Sequence, residues 1–205
     1  MVAYKLHYFE NVGGRAEIIR LLLAYGEIPY EEVTIPLNEW PQHKANYPNG
    51  QVPIMEIDGR ILTQSIAIAR YFAKKLDLLG GDDWEAAQAD AFVGMIEDTL
   101  VALKAKDLLW KIVMGNGKES AAEITELLTP FLVRLEKHLK TTNGVNLVGN
   151  KLTWADIAIA DLFKRYAISV PQLYDAFPAV KKFVDHVHEL PKIKERLAKR
   201  VIHNL

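Results

Sequence analysis

The run Val52-Pro53-Ile54-Met55-Glu56-Ile57, Asp58-Gly59, Arg60-Ile61-Leu62 constrains this chain more tightly than any other stretch. Asp-Gly between two apolar runs is a strong hairpin signal, so an antiparallel pair of strands is expected here. More sheet is expected before it. Tyr4-Lys5-Leu6-His7-Tyr8-Phe9 mixes aromatic and apolar residues over a strand's length, and Asn11-Val12-Gly13-Gly14 breaks it. From Ala16 to Tyr25 the apolar residues Ile18, Ile19, Leu21, Leu22 and Leu23 have helical spacing, with Gly26 as a stop. Tyr30 to Ile35 reads as a second strand, which makes the start a right-handed βαβ unit. An irregular connection carrying Trp40, Pro41, Pro48, Asn49 and Gly50 leads to the hairpin, and Gln64 to Leu76 returns to a helical pattern.

After Leu79-Gly80-Gly81-Asp82-Asp83 nothing reads as sheet, which places a boundary between residues 1–80 and 81–205. Glu85 to Ile112 and Ile124 to Leu139 carry apolar residues at helical spacing and are expected to be two amphipathic helices. Thr153-Trp154-Ala155-Asp156 has the form of a capping box and introduces a buried helix over Ile157 to Ile168. Pro171, Pro178 and Pro191 divide the rest into short helices. An α/β domain is thus followed by an all-helical bundle.

Composition removes several classes of function. A net charge of -1 with interspersed signs offers no field for nucleic acid or an anionic membrane. No apolar run approaches the roughly 20 residues of a membrane span, and the first residues lack a signal peptide's apolar stretch, so a cytosolic protein is expected. There is no cysteine, so disulfides, thiolate metal sites and a cysteine nucleophile are all excluded. His186 and His188 are two apart and point in different directions on a helix, so no metal is expected.

A β-α-β-β-α pattern with a proline directly before its hairpin is similar to the thioredoxin fold, which would carry Cys-x-x-Cys after its first strand. Here that place holds Tyr8 and the Gly13-Gly14 loop, so any thiol must belong to a ligand. Further matches then accumulate: Tyr4-Lys5-Leu6-x-Tyr8-Phe9, Gly14-Arg15-Ala16-Glu17-Ile18-Ile19-Arg20, Trp40-Pro41, Gly50-Gln51-Val52-Pro53-Ile54, Gln64-Ser65-x-Ala67-Ile68-Ala69-Arg70-Tyr71 and Thr153-Trp154-Ala155-Asp156. Together they resemble the cytosolic glutathione transferases of the sigma class over nearly the whole chain. The resemblance implies a thioredoxin-like β-α-β-α-β-β-α domain that binds glutathione, and a helical domain that forms an electrophile pocket and part of a homodimer interface. The activity implied is conjugation of glutathione to hydrophobic electrophiles, or reduction of organic hydroperoxides, with glutathione as co-substrate and no metal.

A free thiol with a pKa near 8.5 is only a few per cent thiolate at pH 7, and the thiolate is the nucleophile. Tyr8, at the end of the first strand beside the first helix, could donate a hydrogen bond to bound sulfur; a strand tyrosine that merely packs would look the same. The resemblance gives Tyr8 the catalytic role and Arg15 a supporting cation. It implies glutathione contacts from Trp40, Lys44, Gln51, Val52, Gln64 and Ser65, with Pro53 as a cis-proline that lets the Val52 backbone pair with the cysteinyl part. Asp98 would reach across the dimer to the γ-glutamyl amine of the partner's site. Phe9, Val12, Gly13, Met95, Trp110, Met114 and Leu205 are plausible walls for the electrophile, though such residues at helical spacing are commonly core. The class also contains prostaglandin isomerases, lens crystallins and carriers of haem or other apolar ligands. Isomerases of the class place a pocket tryptophan after Phe-Pro, whereas the nearest tryptophan here follows Asp107-Leu108-Leu109, which argues against strong isomerase activity.

Overall fold

The computed structural model describes residues 2–113, 116–142 and 144–199. Strand β1 (Tyr4–Phe9) is central in a four-stranded sheet of order β2-β1-β3-β4, with β2 (Glu31–Ile35) parallel to it and β3 (Ile54–Ile57) antiparallel. The hairpin signal produces β3 and β4 (Arg60–Thr63), paired through Ile57 and Arg60 around Asp58 and Gly59, both at positive φ. Side chains alternate across β1, so Tyr4, Leu6 and Tyr8 are buried while Lys5, His7 and Phe9 are partly exposed.

Helix α1 (Glu17–Tyr25) crosses from β1 to β2, and the structure adds a single 3-10 turn, Gly14–Ala16, in front of it. Every residue from Glu17 to Leu23 is buried, because α1 packs against the sheet domain on one side and the helical domain on the other. The short helix α2 (Trp40–His43) lies in the connection, and α3 (Ser65–Lys75) follows β4 directly. The expected β-α-β-α-β-β-α order is thus present.

Helices α4 (Asp83–Ala105), α5 (Leu108–Val113), α6 (Ala121–Thr141), α7 (Trp154–Ser169), α8 (Pro178–His188) and α9 (Pro191–Ala198) make the second domain. The single helix expected over Glu85 to Ile112 is in fact two. Lys106 caps the first against Leu103 and Lys104, and Asp107 takes a left-handed conformation with φ 57 that redirects the chain into α5. Aspartate tolerates that region better than most residues, so the apolar period carried across the break unseen. Pro171 starts no helix but falls in turns, while Pro178 and Pro191 each occupy a first helical turn.

The capping box is present at α7. Asp156 accepts from the Thr153 N–H at 2.6 Å and the Thr153 hydroxyl at 2.9 Å, and its second oxygen accepts from Leu147 N–H at 2.7 Å. All three residues are buried, so this carboxylate serves donors that water cannot reach. Trp154 N–H in turn donates to the Leu78 carbonyl over 2.9 Å, tying the start of α7 to the end of the sheet domain. Among the described residues, no helix is long and apolar enough to cross a membrane.

Candidate active site

Tyr8 is the last inward-facing residue of β1, so its ring is held in the core while its hydroxyl emerges beside the Gly13-Gly14 turn. The Arg15 backbone N–H donates to the Tyr8 oxygen over 3.0 Å. Gly14, at φ 45, passes so close that a Cβ there would overlap the same oxygen. The loop is gripped from below by Arg20 of α1, whose Nη1 donates to the Val12 carbonyl at 2.9 Å and the Gly13 carbonyl at 3.4 Å. Arg20 also lies 5.6 Å from the Tyr8 ring centroid and pairs with the fully buried Glu17 and with Glu32 of β2.

Burial pushes the Tyr8 phenol above its ordinary value, against the Arg15 N–H and the charges of Arg20, Arg165 and Arg15, which pull it down. The phenol is therefore a neutral donor at pH 7. Its oxygen already accepts from Arg15, which leaves its own proton to give.

Two cavities meet beside it. A polar cleft of about 530 Å³ runs between the α2 connection and the start of α3, lined by Trp40, Gln51, Val52, Pro53, Gln64 and Ser65 among others. The Val52-Pro53 peptide bond is cis, and Val52 lies just outside the β3 ladder, which begins at Ile54. Gln64 caps α3 with φ 69 and no side-chain cap bond, so the first-turn N–H groups of α3 are open to an anion. The second cavity, about 190 Å³, is mainly apolar and lies between β1, α1, α4 and α7. Phe9, Arg15, Ser65 and Glu97 line both, so they mark the junction. There the Arg15 Nη1 lies 2.8 Å from each oxygen of Glu97.

Matches to two family profiles agree with this arrangement: "Glutathione S-transferase, N-terminal domain" over residues 4–74 and "Glutathione S-transferase, C-terminal domain" over 106–200. A glutathione S-transferase from Anopheles gambiae is 34% identical over 98% of each chain, and human hematopoietic prostaglandin D synthase is 36% identical with the same coverage. The chain belongs to the glutathione S-transferase family. Its fold agrees closely with the monomeric glutathione S-transferase Na-GST-3 of Necator americanus, at a TM-score of 0.89 and 30% identity over 99% of this chain and 100% of that one.

Within that family fold the expected site residues separate into groups. Tyr8, Phe9, Val12, Arg15, Ser65 and Trp110 line the apolar cavity, and Trp40, Gln51, Val52, Pro53 and Gln64 line the cleft. Lys44 is not in the cleft wall: its stem lies against Gly50, where a Cβ would meet its Cε at 3.0 Å. Met95 is also absent from the cavity, because α4 presents Val93, Ile96, Glu97 and Leu100 to it and Met95 falls off that stripe. Gly13 serves the site through its carbonyl and is not a wall. Asp98 is exposed on α4 and lines neither cavity. Met114 and Leu205 lie outside the described residues.

Sequence reasoning missed Glu97, Lys104, Asp161 and Arg165. Glu97 and Lys104 were findable as the polar members of the 93, 97, 100, 104 stripe on α4. Asp161 and Arg165 are charges four apart in a helix already expected to be buried, which was itself the signal. Among the described residues no group of three or more His, Asp or Glu is placed to hold a metal.

Proposed function

We propose that this chain is a glutathione transferase in which Tyr8 donates a hydrogen bond to the sulfur of bound glutathione and holds it as thiolate for attack on a hydrophobic electrophile. The single observation that carries this is the Tyr8 hydroxyl, accepting from Arg15 N–H with its own proton uncommitted, where a polar cleft opens onto an apolar cavity. Glutathione lies in the cleft, its cysteinyl backbone against Val52 beside cis Pro53 and its γ-glutamyl carboxylate on the N–H groups and Ser65 hydroxyl at the start of α3. Trp40 and Gln51 close the other side, and Lys44 swings from Gly50 to meet the glycyl carboxylate. Arg15 adds positive charge near the sulfur, shared with Glu97. The electrophile occupies the second cavity, with Phe9, Val12 and Trp110 in its wall.

In this reading residues 1–80 carry glutathione and 81–205 carry the electrophile. The protein is a cytosolic homodimer in which Asp98 points into the partner's cleft. Exposed Ile61 and Trp84, 55% and 72% accessible, offer apolar surface for the contact. Sedimentation tests the dimer, and Asp98→Ala should weaken glutathione binding only if it forms.

Binding to immobilised glutathione, with turnover of 1-chloro-2,4-dinitrobenzene, tests the activity. Binding with turnover supports a transferase. Tight apolar-ligand binding with negligible turnover supports a carrier, and failure to bind glutathione contradicts the proposal. A second reading, glutathione-dependent isomerisation of a prostaglandin endoperoxide, draws on the 36% identity to the human synthase and on Trp110 in the cavity wall. Analysis of the product isomers decides it.

A further inference from the structure

Asp161 and Arg165 lie one turn apart on α7 and both line the 190 Å³ cavity. Their side chains are 2% and 14% exposed. The arginine Nε donates to Asp161 Oδ2 over 2.9 Å, and Nη2 lies 2.9 Å from the same oxygen. Nη1 makes no hydrogen bond among the described residues. The wall around them is apolar, formed by residues such as Val93, Ile96, Leu100 and Leu162.

A pair of charges in such a place is poor as a stability device, because desolvating both ions consumes most of what their attraction gains. Its use is better sought in what enters the cavity. Guanidinium presents donors in a fixed fork that suits carboxylates, and here one edge of the fork is held by Asp161 while the other makes no hydrogen bond among the described residues.

We propose that Arg165 is a specificity-determining residue: its Nη1 donates to a carboxylate, or another strongly accepting group, on an electrophile whose apolar body fills the rest of the cavity. The substrate class is thus apolar organic acids that carry an electrophilic carbon. This rests on the transferase reading for the reaction, though not for the binding preference. Asp161 sets the strength of the effect, since it aligns the fork and also cancels part of its charge. Arg15, the other cation in the cavity, is paired to Glu97 and stands at the junction with the cleft, so it does not duplicate Arg165.

Two matched pairs of compounds test this. The first is 4-chloro-3,5-dinitrobenzoic acid and its methyl ester. In both, glutathione sulfur bonds to the chlorine-bearing carbon, chloride leaves with the bond pair, and the thiol proton passes to solvent. The ester's different intrinsic reactivity cancels when the acid-to-ester ratio of kcat/KM is compared between proteins. Arg165→Met should lower that ratio about tenfold or more. Asp161→Asn, which frees the guanidinium of its counter-charge, should raise it. Because Arg165→Met removes the cation beside a buried carboxylate, the double variant Asp161→Leu/Arg165→Met is measured beside it and should also lose the preference.

The second pair is 8-anilinonaphthalene-1-sulfonate and neutral N-phenyl-1-naphthylamine, whose fluorescence reports binding without any reaction. Arg165→Met and the double variant should weaken the anion relative to the neutral dye, and Asp161→Asn should strengthen it. A purely structural pair would change both members of each set alike, and unchanged ratios in the single and double variants would overturn the proposal. If the wild type turns over neither substrate, the transferase reading fails while the dye ratios still decide this one.

Discussion

The Arg15 backbone N–H donates to the Tyr8 hydroxyl oxygen over 3.0 Å, so the phenol is oriented by one hydrogen bond while the proton for another stays free. Because burial raises the Tyr8 pKa, that proton remains on the oxygen at neutral pH. In the proposed mechanism, donation by Tyr8 thus depends on the short turn that brings Arg15 N–H to the end of β1.

Gly14→Ala should break this relationship. The new methyl would overlap the Tyr8 oxygen, and φ 45 costs a residue with Cβ about 1–2 kcal/mol. Turnover should fall more than tenfold with a measurable loss in urea stability; kinetics and denaturation on the same preparation check both.

Arg20→Met should be among the most destabilising single changes. It removes the cation at 3.1 Å from fully buried Glu17 and leaves Arg196 at 3.9 Å, and breaking a buried pair costs up to about 3–5 kcal/mol. Arg20→Lys should recover part of the stability but less of the activity, since one ammonium cannot grip the Val12 carbonyl while pairing with Glu17 and Glu32. Urea titration and kcat separate the two.

Two helix starts should respond differently. Asp82 accepts from Glu85 N–H at 2.8 Å in an exposed position, so Asp82→Ala should cost about 1 kcal/mol and leave turnover unchanged. Asp156 serves three donors among buried groups, and each one left unsatisfied costs about 1–3 kcal/mol. Asp156→Ala should therefore lower Tm far more than Asp82→Ala.

These contrasts show how much was legible in the sequence. Asp58-Gly59 announced its hairpin and Thr153 with Asp156 their cap, because both are local patterns whose physics acts within four residues. The break at Asp107 was not legible, since a left-handed aspartate leaves no trace in an apolar period that continues beyond it. The wall of the polar cleft could be anticipated, being assembled from short motifs around Val52-Pro53 and Gln64-Ser65. The wall of the apolar cavity could not. It depends on which faces α4 and α7 turn toward β1, and that packing selected Glu97, Leu100 and Arg165 while turning Met95 aside.

Glu97→Gln should free Arg15 from its counter-charge, which lies 2.8 Å away in a half-exposed position. The pKa of bound glutathione should then fall, by roughly half to one unit given solvent screening. Arg15→Leu should move it upward, and ultraviolet titration of the bound thiolate reads both.

The same titration tests the central claim most directly when applied to wild type and Tyr8→Phe, each saturated with glutathione. In wild type the bound thiol should titrate well below the free value of about 8.5. In Tyr8→Phe it should return toward that value while glutathione still binds, with turnover falling about a hundredfold or more, as when one preorganised donor is lost. An unshifted thiol in wild type, or the same depressed pKa in both proteins, would contradict the assignment of thiol activation to Tyr8.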